Sequence, residues 1–213
     1  HTITAYGDVT HSTTQSKFNG GSIYFDGTGD YLSVPTDSSW TIGSNDYSVD
    51  MWIKTTDGLA DLISAFNSVS PYHGWLFGIG FSSVTDGKLA FYQTDASSGN
   101  ETFGGTISVN DDTWHHVAFT KAGTTLKFFV DGALDSTHTT TKTSTSSGQA
   151  ILIGRDNNTS PNRYYTGYMD EVRITKGVAL WTQNFTPPAR RDTLSISDGM
   201  MYNGSCLDFD GTD

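Results

Sequence analysis

Cysteine is almost absent: Cys206 stands alone, so no disulfide can form within the chain and a packed core has to hold the fold. Basic residues are scarce as well. Lys and Arg number 12 against 23 Asp and Glu, for a formal net charge of −11. A nucleic-acid-binding chain needs cations to neutralise phosphates, and none cluster here; an anionic membrane surface would repel the chain for the same reason. Apolar runs last only a few residues, too few to cross a bilayer as a helix. Glutamate occurs only at Glu101 and Glu171. Long runs of Ala, Leu, Glu and Lys, the usual material of helices, are missing.

What is present favours strands and turns. Gly reaches 23, aromatics 13%, and Ser and Thr crowd every segment. Tyr47, Val49, Met51 and Ile53 alternate with Ser48, Asp50 and Lys54, the period of a half-buried strand. Strands are also expected over residues 22–25, 62–66, 75–79, 89–92, 114–119, 126–130, 151–154 and 168–174. Asp26-Gly27-Thr28-Gly29-Asp30 and Asp131-Gly132 read as turns. Residues 136–148, nearly all Ser and Thr, and 155–162 read as loops, and 178–181 as one short helical turn. This many short strands between turns predicts an all-β sandwich or barrel. Pro187-Pro188 reads as the end of a domain over residues 1–190. Residues 191–213 are expected to be a tail. Its Phe209-Asp210-Gly211-Thr212 echoes Phe25-Asp26-Gly27-Thr28, as the start of a second repeat would.

Four stretches in order carry a family resemblance: residues 22–32 (Ser22 to Leu32), residues 47–53, Trp114-His115-His116-Val117 continuing to Phe129-Val130-Asp131-Gly132, and Gly167-Tyr168-Met169-Asp170-Glu171-Val172-Arg173-Ile174. Together they resemble the laminin-G-like branch of the concanavalin A-like lectin and glucanase superfamily, over roughly residues 1–190. Residues 177–188 look most like copies in marine bacteriophage and bacterial surface proteins. The resemblance implies a jelly roll of two curved antiparallel sheets packed face to face. It also implies an extracellular, cell-surface or virion location. Partners would be a glycan or surface receptor, or else copies of the chain and neighbouring surface or virion proteins in a fibre, tail or capsid decoration.

Glucanases of the superfamily set two glutamates and an aspartate at alternate positions of one strand; no such pattern exists here, so a non-catalytic module is expected. His115 and His116 are adjacent on a strand and face opposite ways, so they are no metal pair. The pair is expected to sit on a core strand with a satisfied histidine, and Trp52 and Trp114 to serve core packing. Tyr72, Trp75, Tyr164 and Tyr165 are candidate stacking platforms for sugar rings, with His73, Asn100, Arg155 and Asn157 as hydrogen-bonding partners from loops. In the glucanase relatives an aspartate of the final strand binds a structural calcium; Asp170 occupies the matching motif. Asp26, Gly29 and Asp30 would supply further oxygens, since calcium takes six to eight. Alternation along the strand is expected to send Arg173 to the face opposite Asp170.

Overall fold

The computed structural model describes residues 2–18, 20–68, 72–95, 99–145, 148–157 and 163–189. Two seven-stranded antiparallel sheets form a jelly-roll sandwich. The first runs in the order β1 (Thr4–Tyr6), β4 (Tyr31–Val34), β13 (Ile151–Ile153), β6 (Ala60–Asn67), β7 (His73–Ile79), β8 (Lys88–Thr94), β9 (Asn100–Ser108). The second runs β12 (Ala133–Thr139), β11 (Thr125–Val130), β10 (Trp114–Ala122), β5 (Tyr47–Lys54), β14 (Thr166–Lys176), β3 (Ser22–Asp26), β2 (Thr10–Ser12). Helix among the described residues is confined to a 3-10 turn at Ser38–Trp40.

The alternation of β5 does what its period predicts. Tyr47, Val49, Met51 and Ile53 enter the core, where Val117 and Phe119 of β10 and Phe77 and Phe91 of the opposite sheet meet them. Phe91 stacks on Phe119 with ring centroids 4.1 Å apart, which pins one sheet on the other. Edges are closed by side chains. Asp135 on β12 accepts the Thr106 amide at 2.8 Å and the Ile107 amide at 3.1 Å from β9, fastening the two sheets along one border.

Several expectations are corrected. Residues 136–139 belong to β12 rather than to a loop; a Ser/Thr strand at an exposed edge has no apolar face to announce it. Residues 178–181 form no helical turn. They belong to a strap across the outer face of the second sheet, held by Leu180 N to Ser48 Oγ (2.8 Å), Thr120 Oγ1 to the Trp181 carbonyl (2.9 Å) and Phe185 N to the Gly132 carbonyl (2.9 Å). Trp52 is buried on that outer face, outside the core, with the Lys17 ammonium 3.9 Å from its ring centroid. A bulge between Asp170 and Arg173 puts Asp170 opposite Trp52 and Arg173 opposite Asp50. Arg173 therefore shares a face with Asp170 and binds the Asp50 carboxylate through Nε (2.6 Å) and an Nη (2.8 Å). The expected tail, 191–213, lies outside the described residues.

Candidate functional site

On β6, β7 and β8, residues alternate between the core and the free face of the first sheet. Ala65, Trp75 and Phe77 point into the core; Phe66, Leu76 and Ala90 form a separate apolar cluster on the outside, with Phe81 beneath and Tyr92 packed against it. Tyr72, just before β7, is 53% exposed and lies parallel to Phe66, centroids 6.4 Å apart. Tyr92 meets Phe66 edge-on at 5.5 Å. Burial raises the Tyr92 phenol above its usual range, and the Asn100 side chain bonded to it partly offsets this. Tyr72, Phe66, Tyr92 and Asn100 thus form one patch: an open ring face with an amide and a phenol beside it. Phe66 and Tyr92 were missed in the sequence because their strands read as core throughout.

Beyond β6 the face continues. Ser64 Oγ donates to the Arg155 carbonyl (3.1 Å) and Ser68 Oγ to the Asn157 carbonyl (2.8 Å), laying this segment along β6. The Arg155 guanidinium sits 4.9 Å from the Tyr31 ring and 5.1 Å from the Tyr164 ring, and donates to the Tyr164 hydroxyl (3.1 Å). Tyr6 stacks on Tyr31 at 4.5 Å. Arg155 and Tyr164 therefore touch, with Asn157 two residues on from Arg155, and Tyr6 and Tyr31 are brought in by the pairing of β1 with β4. Asn100 lies on β9 rather than in a loop.

Three other candidates are placed differently. Trp75 is 1% exposed and stacks toward Phe91 in the core, so its ring offers no face to a sugar. Tyr165 is fully buried against Phe25, its hydroxyl within bonding distance of the Lys54 (3.1 Å) and Tyr168 (2.9 Å) carbonyls. Burial pushes that phenol well up. His73 starts β7 half-buried, its Nδ1 3.1 Å from Thr145 Oγ1.

The acidic turn is real, but its membership changes. Among the described residues, carboxylate oxygens of Asp8, Asp26 and Asp30 approach within 4.8 Å of one another. Asp30 is buried; its two oxygens accept the Asp8 amide (2.8 Å) and the Asp26 amide (2.9 Å). A side-chain bond to Asp30, then the negative charges of Asp26 and Asp30, raise Asp8 above the ordinary carboxylate range. Gly29, with φ 85°, closes the turn beside Gly7. Asp170 is not in the group. Thr166 is the β14 residue opposite Asp26, and Asp170 lies four residues farther, about 13 Å along the strand.

The two glutamates stand on different sheets, Glu101 on β9 and Glu171 in β14. Burial would raise Glu101, but bonds from Thr140, Thr141 and Gln93 outweigh it and hold the group below its usual range. A carboxylate so held is a poor proton donor, and it has no glutamate partner across a cleft.

A family model described as the concanavalin A-like lectin/glucanases superfamily matches residues 26–183. No curated protein matches the sequence significantly. Domain 4 of AbnA, a GH43 extracellular arabinanase from Geobacillus stearothermophilus solved in complex with arabinotriose, superposes with a TM-score of 0.61 at 19% identity, over 84% of this chain and 82% of that one. The binding domain of Paraclostridial Mosquitocidal Protein 1 gives 0.64 at 12% identity, over 84% of this chain and 45% of that one. Botulinum neurotoxin type C, whose cell entry depends on interaction with two ganglioside molecules, gives 0.59 at 15% identity, over 84% and 44%. The chain thus spans under half of the toxin chains, and at these identities the likeness is one of fold.

Proposed function

The chain belongs to the concanavalin A-like lectin/glucanases superfamily, and we propose that it is a non-catalytic recognition module that binds glycans on the outer face of its first sheet. The carrying observation is Tyr72, exposed and backed by Phe66, with Tyr92 and Asn100 beside it. A sugar presents an apolar ring face and a rim of hydroxyls. A fixed aromatic ring takes the first, and an amide and a phenol take the second. Because Phe66 holds Tyr72 before binding, less side-chain freedom is lost on association. Arg155, Asn157 and Tyr164 extend the face for a longer chain. The sugar-bound state of the arabinanase domain and the ganglioside dependence of the neurotoxin support the reading. On this reading the module would work outside the cell, on a cell surface or on a virion.

The experiment is a glycan array followed by calorimetry on the best hit. Tyr72→Ala should weaken binding about tenfold, ~1.4 kcal/mol, with the fold intact. No binding across the array, or full affinity in Tyr72→Ala, would overturn the reading and favour a structural bead in a fibre, tail or capsid decoration. Calcium is retained as part of the proposal at an altered donor set, with Asp8 in place of Asp170 beside Asp26, Gly29 and Asp30. Its role there would be structural, drawing three mutually repelling carboxylates and turn carbonyls around one cation.

A further inference from the structure

Asp61 sits in a bulge of β6, which turns Leu62 and Ile63 into the core and leaves the Asp61 carboxyl on the outer side, wholly buried. Its Oδ2 accepts Arg163 Nε at 2.8 Å. A second nitrogen of the same guanidinium, Nη2, binds Asp156 Oδ2 at 2.9 Å, and Asp156 is 1% exposed. Arg163 also lies 5.3 Å from the Phe81 ring centroid, in apolar surroundings. Among the described residues, Asp61 Oδ1 is buried with no hydrogen-bond partner. Two buried carboxylates therefore share one largely covered guanidinium. Ionised, Asp61 sets a carboxylate beside the Asp156 charge in a poorly solvated place, only partly offset by Arg163 and Arg155, which is costly; one proton removes that cost.

We propose that Asp61, Arg163 and Asp156 form a proton-binding latch that fastens the Arg155–Asn157 and Arg163–Tyr165 arms to β6 when it takes up a proton, and slackens when it loses it. The connections are on both arms. Asp156 belongs to the first and Arg163 to the second, and the Asp61 amide donates to the Arg163 carbonyl at 3.1 Å. Burial first, then the charge of Asp156, raises Asp61 to about 7, against lowering by Arg163 and Arg155. The free carboxyl lies at 3.8. The closed arms thus bind the proton more tightly than the open ones. Closure gains as pH falls from 7 toward 4 and is level above 7 and below 4. The arms carry Arg155, Asn157 and Tyr164, but the latch itself does not rest on the glycan reading.

Hydrogen exchange without ligand tests it. Protection of the Asp61 and Tyr165 amides, bonded to the Arg163 and Gly154 carbonyls, is measured from pH 5 to 8 and corrected for intrinsic exchange. It should rise about tenfold per pH unit below 7 and be level above it. Asp61→Asn should flatten the profile, and Asp156→Asn should move its break to lower pH. A flat profile in the wild type, or a slope surviving in Asp61→Asn, would overturn the latch. Should Asp61→Asn fail to fold, the carboxyl carbon resonance of Asp61 in the wild type decides: a midpoint near 7 supports it and one below 5 refutes it. Glycan binding tighter at pH 6 than at pH 8 is the added consequence for the outer face; its absence beside an intact exchange profile counts against the glycan reading alone.

Discussion

Asp50 is nearly buried on the outer face of the second sheet, bound by Arg173 and 3.2 Å from His116 Nε2. The alternation that sends Val49 and Met51 inward sends Asp50 outward, where the strap and its rings exclude water. A buried carboxylate there needs its cation, and the cation needs it. Asp50→Ala would leave Arg173 beneath Trp181 without an anion; removing one partner of a buried pair costs about 3–5 kcal/mol. Urea unfolding at pH 7 checks this, and a loss under about 1 kcal/mol would mean that water reaches Arg173 after all. Trp75 and Tyr165 teach the converse. Each stands near polar loop residues in sequence, yet side-chain direction on the backbone decides between core and surface. A one-residue change of phase reverses that decision.

Strands with a long apolar face were legible; short β4, with only Leu32 and Val34 turned inward, and the exposed edge strands were not. β5, β10 and β11 show their alternation in the sequence and place Met51, Phe119 and Phe128 in the core as read. β1, β2, β9 and β12 are edge strands, largely exposed, with Thr, Ser and Gly along them; little apolar period marks them. The bulge of β14, with Glu171 at φ 51°, is equally silent, and it moved Arg173 to the face of Asp170. The strap after β14, whose residues 178–181 read as a short helical turn, shows its role only once its partners are seen. Trp181 stacks on Phe185 at 4.2 Å and meets His116 edge-on at 5.7 Å. Trp181→Ala should destabilise by about 2 kcal/mol, under the 3–5 of a fully buried ring because Trp181 is partly exposed. The strap amide of Leu180 should then exchange faster than that of Val117 in β10. Equal exchange of the two amides in the variant would mean that the backbone bonds to Ser48 and Thr120 hold the strap unaided.

At the scale of the molecule, charge and topology meet at one corner. The chain carries −11 at pH 7, and a cation that binds only the folded form both relieves repulsion and stabilises by mass action. The corner at Asp8, Asp26 and Asp30 joins β1, β3 and β4, elements of both sheets. Asp8 could not be foreseen there: it is 22 residues from Asp30 and arrives only because β1 pairs with β4. Calcium should raise the melting temperature over chelator, by the equivalent of about 2.7 kcal/mol at a hundredfold excess over its dissociation constant. Asp8→Asn is the informative variant. Asp8 is exposed and its side chain holds no strand, whereas Asp30 bonds two amides and its loss would harm the fold by itself. Asp8→Asn should therefore melt no lower than the wild type in chelator, since it removes one of three repelling charges, yet respond less to calcium. Asp170→Asn should keep the full calcium response, since it lies away from the corner. Magnesium, which demands a tight octahedron, should do less than calcium in so open a turn. Identical melting of the wild type in calcium and in chelator would leave the three carboxylates as turn-bonding groups whose repulsion the surrounding amides absorb.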